Sequence, residues 1–277
     1  MKKVLSILLM MSIILLVGCA KMNTSSKEYT DVTVTVFEAG KADAILIQSD
    51  DCTIMIDTGL DEKADTLIDE LKQNGVSKID AIFLTHFDKD HVGGADRILS
   101  AFDVEHVYTT YLTKESTDID QLTSVLDEQN KQMEVVNADQ TFTYGDLQLD
   151  VYAAANTYSN NISNNSSLIL YMSYGMNSIL FTGDAQNDRI KDFLDQTDLT
   201  VDILKVPYHG HYQKKLIKLV EAVLPDVCLI TNSDTEPEEE DIEKTRDVFT
   251  DYDCLIYETK DGMIRINMNE NAYEVVQ

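Results

Sequence analysis

The sequence predicts an α/β domain built as a four-layer αββα sandwich, from about residue 30 to residue 277. Three observations predict it. Short apolar runs of strand character alternate with stretches of helical periodicity from end to end. The strand-rich stretches form two sets with helices beside each, which two sheets with helices outside would satisfy. Several consecutive strands are joined by tight turns as hairpins, and a doubly wound parallel sheet uses crossovers instead.

The elements follow in order. DVTVTVFE (31–38), ADAILIQSD (42–50) and CTIMIDTG (52–59) are strands, with turns at Gly40 and Asp50-Asp51. EKADTLIDELKQNG (62–75) puts Ala64, Leu67, Ile68 and Leu71 on one helical face, with Gly75 suited to the position past its end. IDAIFLTH (79–86) is a run of apolar residues, as a strand covered on both faces is. HVGGADRILSAF (91–102) reads as a helix, EHVYTT (105–110) as a strand, 118–131 as a helix and MEVVNA (133–138) as a strand. TFTYGDLQLDVYAA (141–154) turns at Gly145-Asp146 and SLILYMSYGMNSILFTGDA (167–185) near Gly175-Met176-Asn177, so both read as hairpins. A helix (186–196), a strand (201–207), a helix (214–223), a strand (227–231), a helix (236–249) and a terminal hairpin (254–269) complete the pattern. In TEPEEED (235–241), Thr235 and Glu238 fit a capping box at the last helix start.

Composition narrows the function. Hydrophobic residues make up 44% of the chain, enough for a sizeable core. The 49 acidic and 22 basic residues give a formal net charge of −27. Such a surface repels a polyanion at long range, so extensive nucleic-acid binding is disfavoured. The N-terminus, MKKVLSILLMMSIILLVGC, has Lys2 and Lys3, an apolar run from Val4 to Val17 and a small residue before Cys19. That is the form of a secretory signal, and the run is short for a membrane span. Leu16-Val17-Gly18-Cys19 resembles the lipobox of bacterial lipoproteins. The resemblance implies cleavage after residue 18, a lipid on Cys19 and a polar tether to residue 29. The domain from residue 30 would then be extracytoplasmic and held at the membrane. Cys52, Cys228 and Cys254 remain, an odd count without metal-type spacing. They read as buried free thiols, with a Cys52–Cys254 or Cys228–Cys254 pair as the alternative in an oxidising compartment.

The chemistry gathers at THFDKDHVGG (85–94), where a strand runs into a helix. His86, Asp88, Asp90 and His91 supply imidazoles and carboxylates within six positions, and the chain has only 5 histidines. Such donors suit Zn²⁺, Mn²⁺ or iron better than Ca²⁺ or Mg²⁺. His86 and Asp88 could hold one ion, and Asp90 and His91 a second. Further donors stand at other strand ends: Asp57 before Thr-Gly, Asp184 after Gly183, and His209 before Gly210.

This pattern resembles the metallo-β-lactamase superfamily. The family's HxHxDH signature reads His86-Phe87-Asp88-Lys89-Asp90-His91 here, with Asp88 in place of the second histidine. The THxDxDHxGG form is similar to the branch typified by the extracellular hydrolase domain of the competence protein ComEC. IDTG (56–59), NNSSLIL…LFTGD (164–184) and LKVPYHGH (204–211) resemble that branch's other motifs. The resemblance implies two divalent ions, Zn²⁺ or Mn²⁺. His86 and Asp88 would bind the first, Asp90, His91 and His209 the second, and Asp184 would bridge them. Asp57 would orient a ligand from the surrounding shell. No histidine stands at the third motif; Asn164, Asn165 or Ser167 occupies that region and would line the site. Tyr208 and His211 replace a histidine and a serine of the branch, and Lys205 and Tyr208 are candidate contacts for an anionic group.

The expected activity is that of a surface-anchored, dinuclear phosphodiesterase or nuclease-like hydrolase. Ions about 3.5–4 Å apart would share an attacking hydroxide, with Asp90 and Asp184 as the catalytic carboxylates. A lactone or thioester hydrolase of the same fold is the alternative, followed by a metal-binding lipoprotein without turnover.

Overall fold

The computed structural model describes residues 31–277 apart from residue 156. The signal-like segment (1–18), Cys19 and the tether (19–29) lie outside the described residues. Among the described residues, no helix is long and apolar enough to cross a membrane.

The first half of the chain supplies β1 (Val32–Val36), β2 (Ala44–Ser49), β3 (Thr53–Thr58), β4 (Lys78–Leu84), β5 (Asp103–Thr109) and β6 (Met133–Val135). Between them lie α1 (Ala64–Gln73), α2 (Lys89–Val92), α3 (Ala95–Ala101) and α4 (Thr117–Glu128). The second half supplies β7 (Gln140–Tyr144), β8 (Leu147–Tyr152), β9 (Ile169–Tyr174), β10 (Asn177–Phe181), β11 (Ile203–Lys205), β12 (Val227–Ile230) and β13 (Leu255–Glu258). Its helices are α5 (Ile162–Asn165), α6 (Asn187–Gln196), α7 (Leu216–Val223) and α8 (Glu239–Asp251). The chain ends with β14 (Ile264–Asn269) and β15 (Ala272–Val276). One sheet has the order β15-β14-β1-β2-β3-β4-β5-β6, and the other β13-β12-β11-β10-β9-β8-β7.

Side chains alternate across each strand, so each sheet presents two faces. Ile45, Ile47 and Ile54 of the first sheet meet Leu149, Leu170 and Ile179 of the second in a central core. Leu46, Met55 and Ile82 point the other way, onto Leu67 and Leu71 of α1, Ile98 of α3 and Leu122 of α4. Leu180, Leu204 and Cys228 do the same beneath Ile190 of α6, Leu219 of α7 and Phe249 of α8. Three cores between four layers give the expected αββα sandwich. The three described cysteines are free and buried. Cys52 lies in the central core and Cys254 in the core beneath α6–α8, which separates that pair.

Three expectations need correction. Residues 254–269 are not a hairpin: β13 pairs in parallel with β12, whereas β14 pairs with β1 in the opposite sheet. The intervening Thr259–Asp261 turn and Gly262, at φ 130°, carry the chain from one sheet to the other. The predicted capping box is absent, because α8 starts only after Glu238 and has no side-chain cap. The helix over 91–102 is divided into α2 and α3 at Gly93-Gly94. A Cβ at Gly93 would stand 2.4 Å from the Lys89 carbonyl oxygen and 2.6 Å from the Asp61 nitrogen. At Gly94 it would stand 2.5 Å from the Thr58 carbonyl oxygen. The glycine pair therefore lets the loop carrying Asp88, Asp90 and His91 press against the end of β3.

Asp57, Thr85, Asp184, His209 and Thr231 lie in or just after the C-terminal ends of β3, β4, β10, β11 and β12. Asp43 immediately precedes β2, which runs antiparallel to β3. These ends form one edge of the sandwich. Gly93→Ala should lower the unfolding free energy by about 2–3 kcal/mol in a urea titration, the scale of forced overpacking. An unchanged midpoint would mean that the two helices separate for another reason.

Candidate metal centre

The edge brings together Asp90, His91, Asp184 and His209, whose donor atoms all lie within 4.8 Å of one another. Asp184 Oδ1 is 3.2 Å from both His91 Nε2 and His209 Nε2. The two Nε2 atoms are themselves 3.2 Å apart. Asp90 Oδ2 stands 3.5 Å from His209 Nε2. His86 and Asp88 lie on the other side of the same carboxylate. His86 Nε2 is 3.5 Å from Asp88 Oδ2 and 3.9 Å from Asp184 Oδ2. The two oxygens of Asp184 thus face different donor sets.

The hydrogen bonds behind the histidines fix which nitrogen points inward. His209 Nδ1 faces the Thr231 carbonyl oxygen at 3.1 Å, an atom that only accepts, so Nδ1 carries the proton. His91 Nδ1 lies 2.7 Å from Asp57 Oδ2 and donates to it. Both Nε2 lone pairs then converge on the Asp184 carboxylate. Three electron-rich atoms at 3.2 Å need positive charge among them. That spacing matches the ~3.3 Å edge of a tetrahedron of Zn–N-length bonds. His86 Nε2 and Asp184 Oδ1 are also buried without a hydrogen-bond partner. The donor set therefore fits a divalent cation.

In the absence of a cation, protons and lysines must supply that charge. Burial pushes the His91 pKa down, but Asp184 and Asp57 reverse this and hold it well above the ordinary value. His209 behaves alike: burial opposes, Asp184 and Asp43 prevail, and its pKa rises to about 9. Burial would raise the Asp184 pKa, yet His209 and His91 hold it well below the usual carboxylate range. A cation binding here must displace those protons, so its affinity rises with pH.

Each predicted residue has a definite place. Asp57 takes bonds from the Thr85 backbone N–H and hydroxyl, both at 2.7 Å, besides the one from His91. Asn164 Nδ2 reaches Asp184 Oδ2 at 3.4 Å. The Ser167 hydroxyl accepts the Asp184 N–H at 3.1 Å. Asn165 is turned away, accepting the Gln186 and Arg189 N–H groups at the start of α6. Tyr208 lines the open cleft above the centre. His211 instead joins Asp241 of α8 at 3.0 Å and has no contact with the donor set. Lys205, expected as a contact for an anionic group, is not open to one. It is fully buried, ion-paired with Asp43, and donates to the Gly183 carbonyl at 3.1 Å.

Tyr208 and His209 both have φ 53°, in the left-handed region that side chains with a Cβ disfavour. The two His209 Nδ1 contacts and the Tyr208 N–H bond to the Gly183 carbonyl hold this turn. Strained backbone of this kind typically costs about 1–3 kcal/mol per residue and persists only where the surroundings enforce it.

Sequence reasoning passed over Lys41, Asp43, Lys114, Ser163 and Thr231. Lys41 Nζ bonds Asp90 Oδ2 at 2.7 Å. Asp88 Oδ1 accepts from Lys114 and, at 2.6 Å, from the Ser163 hydroxyl. Thr231 Oγ1 donates to Asp43 Oδ1 at 2.6 Å. Gly40-Lys41-Ala42-Asp43 has the composition of a turn, and nothing local marks its two charges. Lys205→Met would leave the buried Asp43 carboxylate with only the Thr231 hydroxyl and His209 beside it, a loss of about 3 kcal/mol in unfolding free energy. Burial raises the Asp43 pKa, but Lys205 and His209 more than offset this and bring it below the ordinary value. The contribution of this carboxylate is therefore complete above about pH 4 and is lost as pH falls further. Equal stability of Lys205→Met and wild type at pH 7 would contradict the pairing.

Comparison with known proteins agrees with this architecture. The family model described as "Metallo-beta-lactamase superfamily" matches residues 38–229. The chain is 28% identical to ComE operon protein 3 of Bacillus subtilis (strain 168) over 169 residues, covering 60% of the chain and 21% of that protein. It is 23% identical to Recombination protein 2 of Haemophilus influenzae over 261 residues, covering 88% of the chain and 30% of that protein. The chain thus spans less than a third of the length of these curated relatives. Among solved structures, the metallo-beta-lactamase fold protein YhfI from Bacillus subtilis aligns with TM-score 0.57 at 15% identity, over 84% of this chain and 98% of that one. By the extent of the family match and the donor edge described above, the chain belongs to the metallo-β-lactamase superfamily.

Proposed function

We propose that the protein is a dinuclear metal-dependent phosphodiester hydrolase, exported and tethered to the membrane by a lipid on Cys19. The observation that carries the dinuclear reading is the Asp184 carboxylate. Its Oδ1 faces His91 and His209, and its Oδ2 faces His86. In this reading His86, Asp88 and Asp184 would hold one ion, while Asp90, His91, His209 and Asp184 would hold the other. Zn²⁺ and Mn²⁺ both suit that mixture of imidazole and carboxylate. When bound, such a pair supplies an activated water and stabilises charge developing on the substrate oxygens.

The chain's own groups complete the reading. Asp90 borders the cleft and is 12% exposed at its side chain, so it can take a proton from an attacking water. Asp57 and Thr231 hold the imidazoles of His91 and His209 in the tautomer that leaves Nε2 free. Lys41, Lys89 and Lys114 line the cleft together with Asp88, Asp90, Asp118 and Asp184, so the cleft turns cationic only once bound metal offsets its carboxylates. Two metal ions and these lysines together would suit an anionic ester as the substrate. The name of Recombination protein 2, a relative over 88% of this chain, is in keeping with a nucleic-acid ester among the candidate substrates. The acidic remainder of the surface favours a short or isolated phosphodiester over a long nucleic acid.

The reading predicts that protein from residue 24 onward, loaded with Mn²⁺ or Zn²⁺, hydrolyses bis-p-nitrophenyl phosphate. A chelator should abolish turnover and added metal restore it. Asp184→Asn should lose at least about 100-fold, more than a typical outer-shell change costs. Two bound metals without turnover would sink the phosphodiesterase reading and favour lactone hydrolysis or substrate capture. For the tether, mass spectrometry of the membrane-fraction protein should find a chain beginning at Cys19 with a lipid on its thiol; a chain that still begins at Met1 would point to an uncleaved signal anchor.

A further inference from the structure

Two lysines touch the candidate ligands, in different ways. Lys114 and the Ser163 hydroxyl bind Asp88 Oδ1, leaving Oδ2 free to face His86 Nε2 at 3.5 Å. Lys114 therefore leaves the donor oxygen of Asp88 exposed to a cation. Lys41 binds Asp90 at Oδ2, the oxygen that stands 3.5 Å from His209 Nε2. An ammonium and a metal ion compete for that one atom. The Lys41 side chain is 18% exposed and reaches in from the turn before β2. Its Nζ also lies 6.0 Å above the Tyr208 ring, at the cleft wall. The ring face offers the ammonium an alternative resting place once Asp90 is taken.

We propose that Lys41 is the anion-recognising residue of the cleft and that its ammonium occupies Asp90 only until a cation arrives. Metal loading and substrate capture are then coupled through one side chain. The cation displaces Lys41 from Asp90 Oδ2, and the freed ammonium faces the cleft beside Tyr208. The substrate it suits is an ester with negative charge on or beside the reacting group, rather than an uncharged lactone. This inference rests on the metal-centre reading above and adds the substrate charge to it.

The test uses the full-length chain in detergent as wild type, Lys41→Met and Lys41→Arg. Zn²⁺ affinity is measured by calorimetry against a competing chelator, and inorganic phosphate affinity on the Zn²⁺-loaded protein. Lys41→Met should bind the Asp90-side Zn²⁺ about tenfold more tightly, because a competing cation is gone. The same variant should bind phosphate about tenfold more weakly, and Lys41→Arg should restore phosphate binding. Unchanged Zn²⁺ and phosphate affinities in Lys41→Met would overturn the proposal and leave a purely structural ion pair. Neither readout needs turnover, so a protein inactive on diesters would fail the phosphodiesterase reading without touching this one. Wild type that binds no Zn²⁺ would remove both.

Discussion

The donor edge depends on the buried contact between Asp43 and Lys205. Asp43 precedes β2 in one sheet, and Lys205 ends β11 in the other. Both side chains are at most 1% exposed. Thr231, after β12, joins the same carboxylate, and His209 Nδ1 lies 3.4 Å from it. Most of the interface between the sheets is apolar, and apolar contact is tolerant of small shifts. A desolvated ion pair with fixed hydrogen bonds is not tolerant. It sets how far β11 and β12 sit from β2 and β3, and so sets where His209 meets His91. The acidic and basic groups at this edge form a chain of contacts from Asp57 through His91 and Asp184 to His209 and Asp43.

How much of this was legible in the sequence depends on distance along the chain. The strands were readable because their apolar runs are bounded by turn residues, as at Gly145 and Gly175, both at positive φ. The layer assignment was readable because each helix shows one buried face, such as Leu67 and Leu71 on α1. The final segment was misread because periodicity identifies a strand but not its partner. β13 and β14 lie close in sequence and belong to different sheets. The divided helix at Gly93-Gly94 was missed for a related reason. Its cause is a backbone approach from Gly59 and Thr58, which no local pattern reports.

The site divides in the same way. His86, Asp88, Asp90 and His91 announce themselves by spacing, and Asp184 and His209 by position at strand ends. The charges that organise them do not. Lys41 and Asp43 sit in an ordinary turn, and Lys205 looks like a solvated strand terminus until the fold buries it. Ligand-type residues can be recognised one at a time. The groups that orient them are pairwise facts, and the pairs are formed by the tertiary structure.

The donors are shared between the two halves of the sandwich. His86, Asp88, Asp90 and His91 follow β4, whereas Asp184 and His209 follow β10 and β11 of the facing sheet. A cation held by both groups is therefore a removable cross-link between the two sheets, and its binding energy becomes cohesion between them. At a hundredfold excess over its dissociation constant it would add about 2.7 kcal/mol to the folded state. The durability of the sandwich would then track the metal content of its surroundings.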